Sequence, residues 1–314
     1  MENIEISIII PIYNSEKFLA ECLDSIFSQS FLLPFEVIAS INGSHDNSIN
    51  ILKEYQAKHD NLIILEEKEN IGAAISRING IKKARGKYIA FIDSDDLYHK
   101  DFLKVMHSYI EKGYDIVGCN YYHYKNGHSY RNVGSSFLTL DSVKATKALL
   151  IDFNMRGYMW NKLYRKDILI SHSIYFPKTP GTLFEDVVTL YNILLSINTF
   201  KCITKPLYYY RKNNASVTSV KNKERFNQHL YAFSIIRYLC DQNPNKKYLK
   251  VFRHTYLRSW LSLWFDAYLL RKEFHHGPFK HLHLYKKELK ALRNKKPLPV
   301  KGEVWEQYIL DCLN

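Results

Sequence analysis

The sequence predicts an α/β fold: a Rossmann-like, mostly parallel sheet followed by a C-terminal helical extension. Three observations carry that prediction. Short β-branched runs alternate with helix-periodic stretches through the first third of the chain. Polar turns follow the ends of three of those runs. Beyond about residue 215 the pattern changes to long aromatic and basic helices. Alternation at this pace calls for crossover helices between parallel strands, and such sheets bind ligands beyond the carboxyl ends of their strands.

Ile4 to Ile12 is a short β-branched apolar run and reads as a buried strand, ended by Pro11. Ser15 to Ser28 places Phe18, Leu19, Cys22, Leu23 and Ile26 at helical spacing, with Ser15 as N-cap. Phe35 to Ile41 is a second strand, followed by a polar turn at Asn42-Gly43-Ser44 and a helix near Asp46 to His59. Leu62 to Leu65 is a third strand, and Asn70-Ile71-Gly72 opens a helix ending near Arg85-Gly86. Lys87 to Ile92 is a fourth. Further on, Tyr114 to Tyr124 and Leu207 to Arg211 read as strands and Phe184 to Ile197 as a helix. From Lys221, Phe226-Leu230-Phe233 and Phe252-Tyr256-Trp260-Leu263 recur at helical spacings. Asn243-Pro244-Asn245 and His276-Gly277-Pro278 break them.

The 314 residues, 46% of them hydrophobic, suffice for one large domain or two smaller ones. Cys22, Cys119, Cys202, Cys240 and Cys312 are scattered and odd in number, which fits reduced thiols in the cytoplasm and not a disulfide framework or a zinc site. The acidic N-terminus lacks the basic region of a signal peptide. No apolar run reaches the roughly 18 residues of a membrane span.

Charge is uneven. Residues 201–314 carry 23 Lys and Arg against 8 Asp and Glu, and residues 1–200 carry 21 against 23, so the whole excess of +13 sits in the C-terminal third. An anionic partner is one reading, a solvated basic face the other. Nucleic acid is disfavoured, because Tyr and Trp there fall at helical spacings that suit packing better than base stacking. Peripheral membrane contact through Trp260, Trp264 and Trp305 is one expectation, at the inner face of the plasma membrane. Its plain alternative is a helical subdomain packed on the rest of the chain or on a second copy in a homo-oligomer.

The densest chemical signal is "FIDSDD", where an apolar strand ends in Asp93, Asp95 and Asp96. If the backbone stays extended, Asp93 and Asp95 point the same way. Such a pair suits a hard cation, Mn2+ or Mg2+, which would offset the repulsion and leave positions for phosphate oxygens. The alternative is an acidic N-cap for a helix beginning near His99 or Lys100, for which one Asp would serve.

Four ordered blocks, "SIIIPIYNSEKFLAECLDSIFSQ", "EVIASINGSHDNS", "ENIGAAISRINGIKKARGKYIAFIDSDD" and the later "FED", resemble the inverting family 2 glycosyltransferases of the GT-A fold, of the bacterial surface-polysaccharide type. The resemblance spans roughly residues 4–211, and "YMWNKLYRKDIL" and "PLYYYRKNNASVTS" also look typical of it. It implies a catalytic domain over residues 1–215, with a donor-binding half to about 112 and an acceptor half to 215; composition and charge both change near 215–222, which sets the boundary with a separate region at 216–314. The implied reaction moves a sugar from a nucleotide-diphosphate donor, a UDP-sugar first, to a hydroxyl of a glycan or lipid-linked acceptor. The DxD motif would supply the metal ligands, Asp95 directly with Asp93 and Asp96 around it. Pro11, Tyr13, Asn42, Arg77, Asp93 and Ser94 would contact the donor, Tyr13 at the nucleobase and Arg77 near the diphosphate. Asp186 would be the base, with Glu185 as the alternative.

Each assignment has a plainer counterpart. Tyr13 is one of 24 tyrosines, Arg77 could be an exposed helix residue, and Glu185-Asp186 could complement the dipole of the helix they open. Two positions depart from the family pattern. Asn42 stands where an Asp usually precedes the Gly, which leaves the base preference open, and Ile78 replaces an Asn often found after the Arg. A non-catalytic sugar-nucleotide or glycan binding module is the competing class, and the intact acid pair argues against it.

Overall fold

The computed structural model describes residues 3–134, 138–151, 157–171, 185–212, 232 and 235–252. Its first half follows the predicted alternation: β1 (Ile6–Ile12), α1 (Leu19–Phe27), β2 (Phe35–Asn42), α2 (Ser48–Gln56), β3 (Leu62–Glu67), α3 (Ala73–Lys83) and β4 (Tyr88–Phe91). β1 pairs in parallel with both β2 and β4, and β2 with β3. Helices cover both faces, so β1 and β2 are buried almost throughout, as central parallel strands are.

The second half adds β5 (Leu97–Tyr98), α4 (Phe102–Ile110), β6 (Ile116–Lys125), β7 (His128–Val133), β8 (Leu138–Leu140), α5 (Ser142–Ile151), β9 (Lys162–Arg165), α6 (Lys166–Ser171), α7 (Glu185–Leu194) and β10 (Phe200–Arg211). The main path of the sheet runs β3-β2-β1-β4-β9-β6-β10-β5. Only β9 and β5 run against the others along it, so the sheet is mixed but mostly parallel. Strand order reverses at β1 and β4, and that switch point is where such sheets open a crevice.

Two core layers sandwich the sheet. Leu23, Leu52 and Met106 from α1, α2 and α4 pack with Ile8 and Ile10 on one face. Ile81, Leu149 and Tyr191 from α3, α5 and α7 pack with Ile9 and Phe91 on the other. Residues 235–252 join this second layer through Ile236, Cys240, Tyr248 and Phe252, all buried. The Tyr191 hydroxyl lies 2.9 Å from Cys240 Sγ, and Tyr248 OH lies 2.7 Å from Ser142 Oγ. The described part of the basic region therefore packs on the α/β body. The rest, with the proposed boundary at 215–222, Trp260, Trp264, Trp305 and the His276-Gly277-Pro278 break, lies outside the described residues, as does Cys312. The other four cysteines are buried and unbridged. Among the described residues no helix is long and apolar enough to cross a membrane.

Several local expectations are corrected. Pro11 does not end β1: the strand pairs on to Ile12↔Ile41, whereas its β4 partner stops at Ile9. Pro11 therefore lies where one edge of β1 is open, the position a strand tolerates proline. Ser15 does not cap α1, which begins at Leu19 with no side-chain cap; its hydroxyl is used elsewhere. The strand read at Leu207 is the end of a longer β10, bulged around Pro206. β5, β8, β9 and α6 lie beyond the sequence reading because each has six residues or fewer, and β7 and α5 are further additions to it.

Candidate active site

The three polar turns anticipated from the sequence meet at one edge of the sheet. After β1 the chain bends through Asn14, in the left-handed region at φ 47°. The Asn14 N–H donates to Ser44 Oγ at 3.0 Å, and Asn14 Oδ1 accepts from the His45 N–H at 2.9 Å. Ser15 ties the same loop to both neighbours: its N–H donates to Ser48 Oγ at 3.0 Å, and its hydroxyl lies 2.6 Å from that of Ser94. Tyr13, on the same loop, is left 46% exposed.

Asn42 does something the sequence did not suggest. Its Nδ2 donates to Asn70 Oδ1 at 3.0 Å and its Oδ1 accepts from the Ile71 N–H at 2.9 Å, so both ends of the buried carboxamide brace the loop into α3. Gly43 follows at φ +64°, and a Cβ there would come within 2.6 Å of the Glu69 backbone. The strand-end turn needs this glycine for close approach as much as for its backbone angle.

The carboxylates after β4 are not extended. The Asp96 N–H donates to the Asp93 carbonyl at 3.0 Å, closing a turn, so the alternation argument that placed Asp93 and Asp95 on one face does not apply. The acidic N-cap alternative also falls: β5 separates the cluster from α4, which begins at Phe102. The carboxylates differ in kind. Asp96 is fully buried, its Oδ2 accepting from Tyr208 OH and its Oδ1 from the Arg211 N–H, each at 2.7 Å. Burial, with the charges of Asp95 and Asp93 beside it, pushes its pKa well up. Asp96 is thus an internal strut that holds the turn against β10. Asp93 keeps about a third of its side chain exposed while Oδ1 accepts from Arg77 Nη2 at 3.0 Å.

Arg77 is not on an exposed helix face. It lies on the buried side of α3, and its Nη1 also meets Asp186 Oδ1 at 2.8 Å and Glu185 Oε1 at 3.2 Å. One guanidinium thereby joins the acid pair opening α7 to the carboxylate turn after β4. Burial pushes Glu185 up to about 7 against the opposing pull of Arg77. Asp186 is raised by burial too, with Arg77 and Lys162 holding it down. Lys162, fully buried, is itself pushed down to about 8 by burial; its Nζ donates to the Tyr158 carbonyl at 2.6 Å and to Asn161 Oδ1 at 2.7 Å.

Two further residues hold the site together. Arg211, at the end of β10, donates from Nε to the Asp95 carbonyl at 2.6 Å and from Nη2 to Glu21 at 2.7 Å, and stacks between Phe18 and Tyr124. Tyr208 carries the hydroxyl on Asp96 and stacks on Trp160 with ring centroids 4.2 Å apart. "PLYYYR" shows an aromatic strand ending in Arg, but nothing in its spacing says that the strand returns beside "DSDD". Arg211→Ala should lower the thermal midpoint, because the Asp95 carbonyl and Glu21 lose the donor that holds the turn to β10. Differential scanning calorimetry of the ligand-free protein measures this. A second acidic group, Glu5, His107 and Glu111, lies at the opposite end of the sheet, where Lys87 pairs with Glu111 at 2.7 Å.

The carboxylate turn after β4 and the arginine-linked acid pair opening α7 thus meet at the switch point of an α/β sheet. The family model described as glycosyl transferase family 2 matches residues 7–172. The chain is 31% identical over 263 residues to EpsH of Bacillus subtilis, a glycosyltransferase by name, covering 80% of this chain and 73% of that protein. It is 29% identical over 205 residues, 65% of this chain and 35% of that protein, to the poly(ribitol-phosphate) beta-N-acetylglucosaminyltransferase TarS of Staphylococcus aureus. The crystal structure of S. aureus TarS 1-349 with UDP-GlcNAc superposes with TM-score 0.66 at 22% identity, covering 92% of this chain and 77% of that one. A mannosyltransferase of Pyrobaculum calidifontis in complex with GDP-Man and Mn2+ superposes with TM-score 0.59 at 16% identity, covering 98% and 86%. The chain belongs to glycosyl transferase family 2 and is a glycosyltransferase with the GT-A fold.

Proposed function

We propose that the protein moves a sugar from a nucleoside-diphosphate donor, a UDP-sugar first, onto a hydroxyl of a glycan or lipid-linked acceptor, with inversion, in surface polysaccharide synthesis. The observation that carries this reading is the placement of Asp186 and Asp93 on one buried guanidinium, which sets a base-competent carboxylate opposite the DxD turn. Tyr13 offers its exposed ring to the nucleobase. Asp186 takes the proton of the acceptor hydroxyl as that oxygen bonds to the anomeric carbon and the bond to the diphosphate breaks. A single displacement inverts the centre, so the base must stand on the face away from the leaving group.

The residues present fit a divalent cation. Asp93, Asp95 and Asp96 crowd one turn, and their mutual repulsion is what oxygen-seeking Mn2+ or Mg2+ would relieve. Asp95 and Asp93 would hold it, with Asp96 and Arg211 fixing their turn. When bound, the cation stabilises charge on the departing diphosphate.

The test is to offer the purified protein UDP-, GDP- and dTDP-sugars with Mn2+ and follow released nucleoside diphosphate, with and without lipid-linked or oligosaccharide acceptors. Acceptor-stimulated release from a UDP-sugar is expected. Absence of release and of thermal stabilisation by every donor would overturn the reading. A lipid-linked acceptor would bring the enzyme to the cytoplasmic face of the membrane, with residues 216–314 as the contact. Failure to float with anionic vesicles at low salt would remove that part.

A further inference from the structure

We propose that Arg77 is a positioning residue: its guanidinium ties Glu185 and Asp186 to Asp93, and so fixes the base relative to the turn that receives the departing diphosphate. This rests on the reactive roles proposed above for Asp186 and the DxD turn, and it replaces the diphosphate contact that the family resemblance implied for Arg77.

The geometry spends the arginine inside the protein. Nη1 is shared by Asp186 at 2.8 Å and Glu185 at 3.2 Å, and Nη2 is on Asp93 at 3.0 Å. The side chain is 6% exposed, and its Nε is buried without a partner among the described residues. Among the described residues the guanidinium is enclosed by its three carboxylates and almost closed to solvent, where a phosphate ligand would keep an open edge.

Its seat is rigid. One turn further along α3, a Cβ on Gly80 would stand 2.5 Å from Ile9 Cγ2, so the helix lies directly on β1 and fixes the height of Arg77 above the sheet. Beside it, the Ser76 hydroxyl donates about one turn back to the Gly72 carbonyl at 3.2 Å. The three carboxylates come from the two halves of the chain, Asp93 from the loop after β4 and the acid pair from α7. A guanidinium presents two Nη groups in a fixed plane and stays charged at any working pH, so it can bridge both halves. An ammonium is one point charge and cannot hold the same spread.

Two double-mutant cycles test this, built from Arg77→Met, Asp186→Asn and the double variant. The first reads thermal midpoint without ligands. Arg77→Met leaves its carboxylates unpaired and should lower the midpoint; Asp186→Asn should recover part of that loss. Strictly additive midpoints would mean that the clamp is absent and overturn the proposal. The second cycle reads kcat and donor KM. Arg77→Met should lower kcat by about 100-fold, the scale of a misplaced reacting group, with donor KM changed no more than about two-fold. The double variant should be no slower than Asp186→Asn alone, and Arg77→Lys should not restore kcat. Multiplying effects with a donor KM raised about ten-fold would make Arg77 a diphosphate ligand and overturn the proposal. If the wild type itself releases no nucleotide, the proposed function fails, and the thermal cycle still decides whether the clamp exists.

Discussion

Asp186→Asn should lower kcat by about 10²–10⁴-fold, the range for loss of a positioned general base, with little change in donor KM. Asparagine keeps the shape and cannot take a proton. Circular dichroism and the thermal midpoint check that the fold survives. Glu185→Gln should cost much less, because Glu185 shares the Arg77 guanidinium at 3.2 Å without taking the acceptor's proton. The reverse order of losses would make Glu185 the base.

The same assignment has a pH signature. Asp186 is raised above the ordinary 3.8 by burial. A base works ionised, so kcat should be full above the folded-state value and fall as pH drops through it. Lys162 holds Asp186 down, so Lys162→Met should move this acid limb to higher pH. Stability runs the other way. A carboxyl raised by folding binds its proton more tightly folded than unfolded, so the ligand-free protein should lose stability as pH rises from 3.8 through the folded value. Asp186→Asn should remove that part of the loss.

Asp95→Ala should reduce metal-dependent transfer by about 10³-fold, the several kcal/mol a cation contributes to a developing charge, and abolish Mn2+ binding by calorimetry. Asp96→Asn should behave differently, although it stands next in sequence. Its carboxylate is enclosed by Tyr208 and Arg211, so the change should cost about 1–3 kcal/mol of stability and act on turnover through the turn. Near-wild-type transfer by Asp95→Ala, or equal loss of metal binding in both variants, would remove the distinction drawn between the two.

Much of the first half was legible because its signals are local. β1 to β4 and α1 to α3 each show a run or periodicity within about ten residues, and Asn42-Gly43 and Asp93-Asp96 fall where strands must end. The second half was read poorly for the opposite reason. β9 is only Lys162–Arg165 and runs against both neighbours, and β5 is two residues long. Their existence depends on partners distant in sequence.

By itself the sequence determined the α/β class, the edge of the sheet at which polar groups gather, and a short set of acidic residues able to do the chemistry. It could do so because hydrophobic period and turn composition are written residue by residue. Only the tertiary structure decided what those residues are to one another. Asp93 faces the crevice while Asp96 is buried three residues on, because a turn and not an extended strand joins them. Asn42 braces a loop, and Arg77 grips two halves of the chain that lie 108 and 109 positions apart in its pairs with Glu185 and Asp186. Burial and ion pairing act through space, so the charge state and aim of these side chains exist only once β4, α3 and α7 have packed together.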